Sequence, residues 1–505
     1  MRTVRIFVSS PGDVLPERHR SSQVIARLAQ RFGSELALEP IFWEWEPLTA
    51  DKHFQENIIP PSTTDVVVMI LWSKLGTLLP IEKYRGRISN KQVTGTEWEF
   101  EDALGAPESS RPTMLVYIKK APYKIEIINS KDKRSDEIKE NMERLECFLK
   151  TWFWDEKESV YKGSQREFTD TSVFEEMLER HLDRFLQQFI EKGSSAHRAG
   201  HWHQGSPFRG LQSFDVGHTD IFFGRTRARN ELREMLVAQF DHGSAFVVVV
   251  GASGCGKSSL VRAGLIPDLK LPGMVPQVGL VRYAILRPRD ADANPLTALA
   301  SGLMSALPEL QSLLYTQEIL EELIADSPAK AMLPINQGLA AARQNAKLTE
   351  SAEARLLIVV DQLEELFTLP LSEQTRLGFV TALDNLARSS STWVVATMRT
   401  DFMSRLAEEA KLAELARGAG TFLLSPPTPE ELGQIILRPA ETAGVEYETN
   451  RDTGQRLDEE LRRAAGNNPG ALPLLEYLLE RLWQERDTDG RLTFDAYTRL
   501  GGLEG

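Results

Sequence analysis

Phe246-Val247-Val248-Val249-Val250-Gly251-Ala252-Ser253-Gly254-Cys255-Gly256-Lys257-Ser258-Ser259-Leu260-Val261 is a buried-strand run that feeds into a glycine-rich loop and then into an apolar helix start. The loop fits G-x-x-x-x-G-K-[ST]. Without a Cβ at Gly251, Gly254 and Gly256, successive backbone N–H groups can turn inward around an anion. Lys257 is placed to reach the β- and γ-phosphates and the Ser258 hydroxyl to ligate Mg²⁺, while the dipole of the following helix favours negative charge. The strand before and the helix after are the contexts the motif requires, which argues against a chance glycine turn. Gly251, Ser253, Gly254, Cys255, Gly256, Lys257, Ser258 and Ser259 are therefore the expected phosphate-binding set.

The partners of such a loop lie downstream. Leu356-Leu357-Ile358-Val359-Val360-Asp361 reads as a buried strand ending in an acid, which would hold Mg²⁺ directly or through water. Glu364, three residues on, is a candidate to orient or activate the attacking water, with Glu365 as the competing choice. A third strand, Trp393 to Met398, delivers Arg399 to the same rim, where an always-charged guanidinium could sense the γ-phosphate. The alternative for Arg399 is a structural ion pair with Asp401. The chain then turns helical over Pro429 to Ala443, Asp452 to Ala465 and Ala471 to Trp483, with Pro473 near the start of the last helix, where a missing N–H costs little. Upstream, the aromatic residues of Pro207 to Phe214 and Ile221 to Arg225 offer a base-binding lip or plain core packing.

The 505 residues predict about three domains at roughly 100 to 200 residues each. A net charge of −13 argues against a general nucleic-acid surface. The longest apolar runs, Val66 to Leu71 and Ala245 to Val250, fall far short of the roughly 20 residues that span a bilayer, so no membrane span is expected. The N-terminus breaks into Ser10-Pro11-Gly12-Asp13 too early for a signal-peptide core. Two cysteines, Cys147 and Cys255, give neither a disulfide framework nor a metal cluster and fit a reducing cytoplasm. Because Cys255 sits inside the loop, its alkylation is expected to reduce nucleotide binding.

The N-terminal part alternates strands and helices. Val4 to Ser9, Leu36 to Trp43, Asp65 to Trp72 and Thr113 to Ile118 read as strands, and Val14 to Phe32 as an amphipathic helix, which predicts a parallel sheet covered on both faces. Ligands of such sheets sit beyond the carboxyl ends of the strands, so Ser9 to Asp13, Trp72 to Gly76 and Gly95 to Glu99 are expected to share one rim. On the helix that begins near Gly95, Phe100, Ala103 and Leu104 form the apolar face, Glu97 and Glu99 border it, and Glu101 and Asp102 point outward. A border carboxylate, Glu99 or Glu97, could stabilise charge on a ribose as nicotinamide leaves NAD; the bland alternative is an acidic first turn favoured by the helix dipole. Lys119 to Arg134 reads as a solvated excursion. Ser135 to Trp152 and Thr171 to Lys192 read as amphipathic helices, with Trp152 and Trp154 in core or interface. Gly193 to Ser206 reads as a linker whose three histidines lack metal-site spacing.

Two resemblances follow from these residues. Ile6-Phe7-Val8-Ser9-Ser10-Pro11-Gly12-Asp13-Val14, with Glu17-Arg18, resembles the start of the TIR-like domains of bacterial multidomain proteins, over about residues 1 to 120. In the wider set of TIR and nucleoside deoxyribosyltransferase-like folds a Gly-Thr-x-x-Glu segment carries an acid that works on an N-glycosidic bond. Gly95-Thr96-Glu97-Trp98-Glu99 matches it with Glu99 as the acid. Residues 207 to 505 resemble the STAND class of signal-transduction NTPases through Phe208-Arg209-Gly210-Leu211, Phe222-Phe223-Gly224-Arg225, the phosphate loop, Asp361 to Phe367, Thr397 to Phe402 and Gly470-Ala471-Leu472-Pro473. The resemblance implies that Phe223, Gly224, Arg225 and Pro473 help hold the nucleotide, and that ADP/ATP exchange opens a closed form for homo-oligomerisation.

The expected fold is thus α/β: a TIR-like, flavodoxin-type parallel-sheet domain with a helical extension (1–192), a linker (193–206), a P-loop NTPase domain (207–425), and a helical subdomain with the start of a winged-helix region (426–505). The expected function is an ATP- and Mg²⁺-dependent switch that controls an effector, with NAD as the candidate substrate, in bacterial defence and under a protein or phage-derived trigger. A non-catalytic adaptor and a motor-like ATPase are the alternatives. STAND proteins normally continue into repeats or another sensor, so this sequence is expected to be a piece of a longer protein.

Overall fold

The computed structural model describes residues 2–33, 36–42, 59–122, 134–155, 160–161, 164–191, 202, 204–271, 274–348, 352–450, 453–466 and 470–503. The expected strand position Trp43, most of the Lys119 to Arg134 excursion, most of the linker with its three histidines, and Asp452 lie outside these residues. The chain divides into two compact units, Met1–Ser195 and Ala196–Gly505.

The first unit is a five-stranded sheet. Its elements are β1 (Arg2–Ser9), α1 (Leu15–Arg31), β2 (Leu36–Ile41), β3 (Val66–Leu71), α2 (Gly95–Leu104), β4 (Thr113–Lys119), α3 (Arg134–Phe153), β5 (Arg166–Phe168) and α4 (Thr171–Glu191). Within this sheet the pairings are parallel, in the order β2-β1-β3-β4-β5, which is the doubly wound order 2-1-3-4-5; a short antiparallel pair, Trp154–Asp155 with Val160–Tyr161, stands apart from it. Central β3 is Val-Val-Val-Met-Ile-Leu and buried at every position, as a strand covered on both faces requires. On one face α1 and α4 are joined by ion pairs as well as apolar packing: Arg27 reaches Glu175 (2.6 Å) and Glu179 (2.8 Å), and Arg31 reaches Asp183 (2.9 Å).

Two sequence expectations fail on α2. Glu101 and Asp102 do not point outward; they are 2% and 8% exposed. The segment before the helix folds over them, and Glu101 accepts from the Ile88 and Ser89 N–H groups and the Ser89 hydroxyl while Asp102 accepts from Ser62 N–H and Arg87. Helical periodicity reports which residues share a face, and a covering loop can bury a polar face when its backbone donors satisfy the acids. Glu97 is engaged at the start of the helix. It closes a capping box with Thr94 and pairs with Arg144 at 2.9 Å, the usual task of an acid at this helix position.

The second unit repeats the parallel-sheet principle. It contains α5 (Thr226–Asp241), β6 (Phe246–Gly251), α6 (Lys257–Ser259), a π-helical turn (Leu260–Leu265), α7 (Ile266–Lys270), β7 (Val278–Leu286), α8 (Pro295–Ala306), α9 (Gln317–Asp326), α10 (Met332–Asn345), β8 (Glu353–Val360), α11 (Glu373–Ala387), β9 (Thr392–Arg399) and β10 (Thr421–Leu423). The sheet order is β10-β6-β9-β8-β7, again parallel throughout. The phosphate-loop strand β6 lies between β10 and β9 and is fully buried, with one apolar cluster on each face of the sheet.

Four helices follow: α12 (Pro429–Thr442), α13 (Leu457–Gly466), α14 (Leu472–Gln484) and α15 (Phe494–Arg499). They share their own core, which includes Leu432, Leu461, Leu479 and also Phe208 from the start of the unit. Phe208 is therefore core packing, and it straps the entry of the unit to its helical tail.

Candidate functional site

Beyond the carboxyl ends of the second sheet lies a cavity of about 760 Å³, within the size range of small-molecule sites. The loop after β6 forms one wall. Gly254 and Gly256 have φ of +74° and +94°, the left-handed region open to glycine, and a Cβ on Gly254 would stand 2.3 Å from Pro473 Cγ. The second glycine therefore serves both the turn and the close approach of α14.

Ser253, Gly254, Gly256, Lys257, Ser258 and Ser259 line the cavity. Gly251 and Cys255 support the loop from behind: Gly251 ends β6, and the Cys255 side chain is 8% exposed and belongs to the apolar cluster beneath the sheet. That side chain alternates inward while the Cys255 carbonyl accepts from Arg225 Nη2 at 2.9 Å.

Lys257 folds over the loop, its Nζ donating to the carbonyls of Gly251 (3.0 Å) and Ala252 (2.7 Å). Ser258 Oγ donates to Asp361 Oδ1 at 2.6 Å. The two groups expected to serve Mg²⁺, 103 positions apart in sequence, thus meet at the root of the cavity. Asp361 is fully buried and over-determined: Thr397 Oγ1 donates to Oδ1 at 2.7 Å, Arg262 Nη2 to Oδ2 at 2.9 Å, and Arg287 lies 3.6 Å from Oδ2. A hydroxyl and a carboxylate oxygen are the hard donors that Mg²⁺ takes alongside phosphate oxygens and water. Among the described residues no group of three or more His, Cys, Asp or Glu forms a metal cluster.

Past Asp361 the backbone turns sharply, with Gln362 at φ +63°, a sparsely populated region for a side chain that carries a Cβ. Thr397 fixes the turn by accepting from the Gln362 N–H at 2.9 Å. The turn brings Glu364 and Glu365 to the cavity wall. Glu364 Oε2 is buried with no hydrogen-bond partner, whereas Glu365 is held by Arg289 Nε at 2.5 Å and burial raises its pKa. Arg399 lines the same cavity and pairs with Asp401 at 2.5 Å, the ion pair that was the alternative reading of that residue.

The far wall comes from the strap and the helical tail. Phe223 and Arg225 line the cavity, as do Ile435, Leu472 and Pro473. Gly224 lies behind them, where a Cβ would meet the Glu431 carbonyl at 2.4 Å. Arg225 is buried and donates to the Ser425 and Cys255 carbonyls, tying the strap to the loop. Ser259 Oγ accepts from the Phe214 N–H at 3.1 Å, a second tie. Sequence reasoning missed Arg262, Thr397, Arg287, Arg289 and Glu476, all of which touch the cavity or Asp361.

In the first unit the three expected segments do share a rim. Ser9 Oγ donates to Glu99 Oε2 at 2.6 Å, and Asp13 accepts from the Ser73 N–H and hydroxyl. Glu99 is 5% exposed. Arg18 beside it donates to Ser10 Oγ and to the Ser10 and Pro11 carbonyls.

A parallel sheet whose strand-end glycine loop, serine–aspartate pair and strand-end arginine converge on one cavity defines a P-loop nucleoside triphosphatase. The family model described as Novel STAND NTPase 1 matches residues 207–505, more than half of the chain, and the chain belongs to that family. No curated protein matches it. Among solved structures, the ORC2 protein of Aeropyrum pernix in ADPNP–ADP complexes is similar at 15% identity and a TM-score of 0.38, covering 55% of this chain and 67% of that one. A Walker-type ATPase of Pyrococcus abyssi is similar at 14% identity and a TM-score of 0.35, covering 59% and 73%. Among the described residues no helix is long and apolar enough to cross a membrane.

Proposed function

We propose that the chain is an ATP-operated switch whose second unit binds and slowly hydrolyses ATP and whose first unit is the effector it controls. The observation that carries this reading is that one cavity is lined by both halves of the second unit, the phosphate loop on the sheet and Pro473 on the helical tail. A nucleotide there touches both, so its γ-phosphate can favour one arrangement of tail and sheet over another. Driving a two-state equilibrium from about 1:99 to 99:1 needs roughly 10⁴-fold differential affinity.

Each residue then has a task. The loop N–H groups and Lys257 hold the phosphates, and Ser258 with Asp361 would hold Mg²⁺, which when bound neutralises charge on the transferred phosphoryl group. Arg262 and Thr397 fix the Asp361 carboxylate. Glu364, with its unmet Oε2, orients the attacking water, and Arg399 senses the γ-phosphate once released from Asp401.

Light scattering on the intact chain with ATP, with ADP and without nucleotide tests the switch. A larger mass with ATP alone supports it; the same mass in all three rejects it, and fast untriggered turnover would favour a motor.

For the first unit the TIR-like resemblance supports NAD cleavage at Glu99, in a defence response to a protein trigger. The burial of Glu99 and its bond to Ser9 favour the second reading, a non-catalytic adaptor. Incubating the assembled chain with NAD decides: nicotinamide release that Glu99→Gln abolishes supports catalysis, and no release supports the adaptor.

A further inference from the structure

Helix α14 shows one face to the nucleotide cavity. Pro473 and Glu476 line it, and positions three and four apart share a helical face. The N-terminal end of that face stands on the phosphate loop, where Pro473 Cγ touches Gly254. The C-terminal end reaches the strap, where Glu480 Oε2 lies 1.9 Å from the position a Cβ on Gly210 would take. Glu476 lies between these two anchors and so faces the part of the cavity beyond the phosphates, walled by Phe223, Ile435 and Pro439. Its Oε2 is buried and has no hydrogen-bond partner. A buried polar atom in an apolar wall is unfavourable unless something meets it.

We propose that Glu476 is the base-reading residue of the nucleotide site and that its carboxyl pairs with the amino edge of adenine. The proposal rests on the reading of this cavity as a nucleotide site. Burial, and then the nearby Glu480, push the Glu476 carboxyl up to about 8, so at neutral pH it is an acid that offers an O–H donor beside a C=O acceptor. Adenine presents the complement, an amino donor beside a ring-nitrogen acceptor, whereas guanine presents two acceptors on the same edge. One carbonyl oxygen would then face another. The remaining charged groups near this wall are engaged elsewhere: Arg225 on the loop and strap carbonyls, Lys257 on the loop, and Arg438 over the Phe223 ring at 5.2 Å.

Competition of ATP and GTP against a fluorescent ATP analogue, on the intact chain, tests this. Wild type should prefer ATP by roughly 10- to 100-fold at pH 7, and its ATP affinity should fall by pH 9, because the ionised carboxyl keeps an acceptor for the amino group but no donor for the ring nitrogen. Glu476→Leu should remove the preference by weakening ATP and sparing GTP. Glu476→Gln keeps a donor beside an acceptor, and should retain the preference at both pH values. An unchanged ATP/GTP ratio in Glu476→Leu, or a pH profile for Glu476→Gln identical to that of wild type, overturns the proposal. If Glu476→Leu does not fold, the Gln profile decides alone. Wild type that binds neither nucleotide would reject the nucleotide reading itself, a result distinct from binding without base preference.

Discussion

Each unit holds a serine–acid pair, with the serine at the strand end and the acid on a helix in the first and the reverse in the second. Ser9–Glu99 and Ser258–Asp361 each span 2.6 Å at the carboxyl end of a parallel five-stranded sheet. Their surroundings differ. Asp361 is held by Ser258, which lines a cavity of about 760 Å³ beside a glycine loop whose N–H groups can turn toward an anion, with Arg262 and Arg287 adding positive charge. Glu99 lies among groups that bond to each other, and Arg18 spends its donors on Ser10 and Pro11. The comparison teaches that a buried serine–acid pair becomes a ligand site through the backbone beside it. The acid itself is common to both.

The largest expected effect separates the pairs by chemistry. Asp361→Asn should lower ATP hydrolysis by about 10²- to 10³-fold, the scale of losing one preorganised charged group at a transition state, as a phosphate-release assay would record. Glu99→Ala should leave hydrolysis unchanged and instead destabilise the first unit by about 1–3 kcal/mol, because Ser9 loses a buried partner. Equal effects of both substitutions on turnover would erase the distinction drawn here.

A smaller contrast lies in pH. Burial, reinforced by Arg180, Arg166 and Arg184, holds His181 down at about 4, where Nδ1 shares a hydrogen bond with Tyr117. The unfolded imidazole takes a proton below about 6.5 that the folded one refuses, so the first unit loses stability as pH falls from about 6.5 toward 4. Glu476 has the opposite sign. Its folded carboxyl keeps a proton up to about 8 that the unfolded one releases near 4.5, so the second unit loses stability as pH rises through that window. Urea midpoints at pH 5, 7 and 9 should show His181→Gln flattening the acid limb and Glu476→Gln the alkaline one. The smallest effect belongs to Cys255→Ser, which should shift ATP affinity by no more than about twofold, since that side chain packs away from the cavity; a calorimetric change above tenfold would return the thiol to the site.

Much of this was legible in the residues. The loop, Asp361 and Pro473 were readable because each satisfies a local backbone demand, and the strand and helix spans followed from periodicity. Arg262 and Thr397 were readable in principle: Arg262 stands four residues after Ser258 on one helical face, and Thr397 two before Arg399 on one strand face. Their partner is remote in sequence, so spacing alone did not join them to Asp361. Glu101 and Asp102 were misread because the loop that buries them has no periodicity to announce it.

The central claim is that the cavity over Gly254 to Ser258 binds ATP. Calorimetric titration of the intact chain with ATP and Mg²⁺, beside Lys257→Ala, tests it directly. The account predicts one saturable site per wild-type chain and a loss of at least about 100-fold in affinity for the variant, which lacks the ammonium that meets the phosphates. Equal binding by both proteins, or none by wild type, would contradict it.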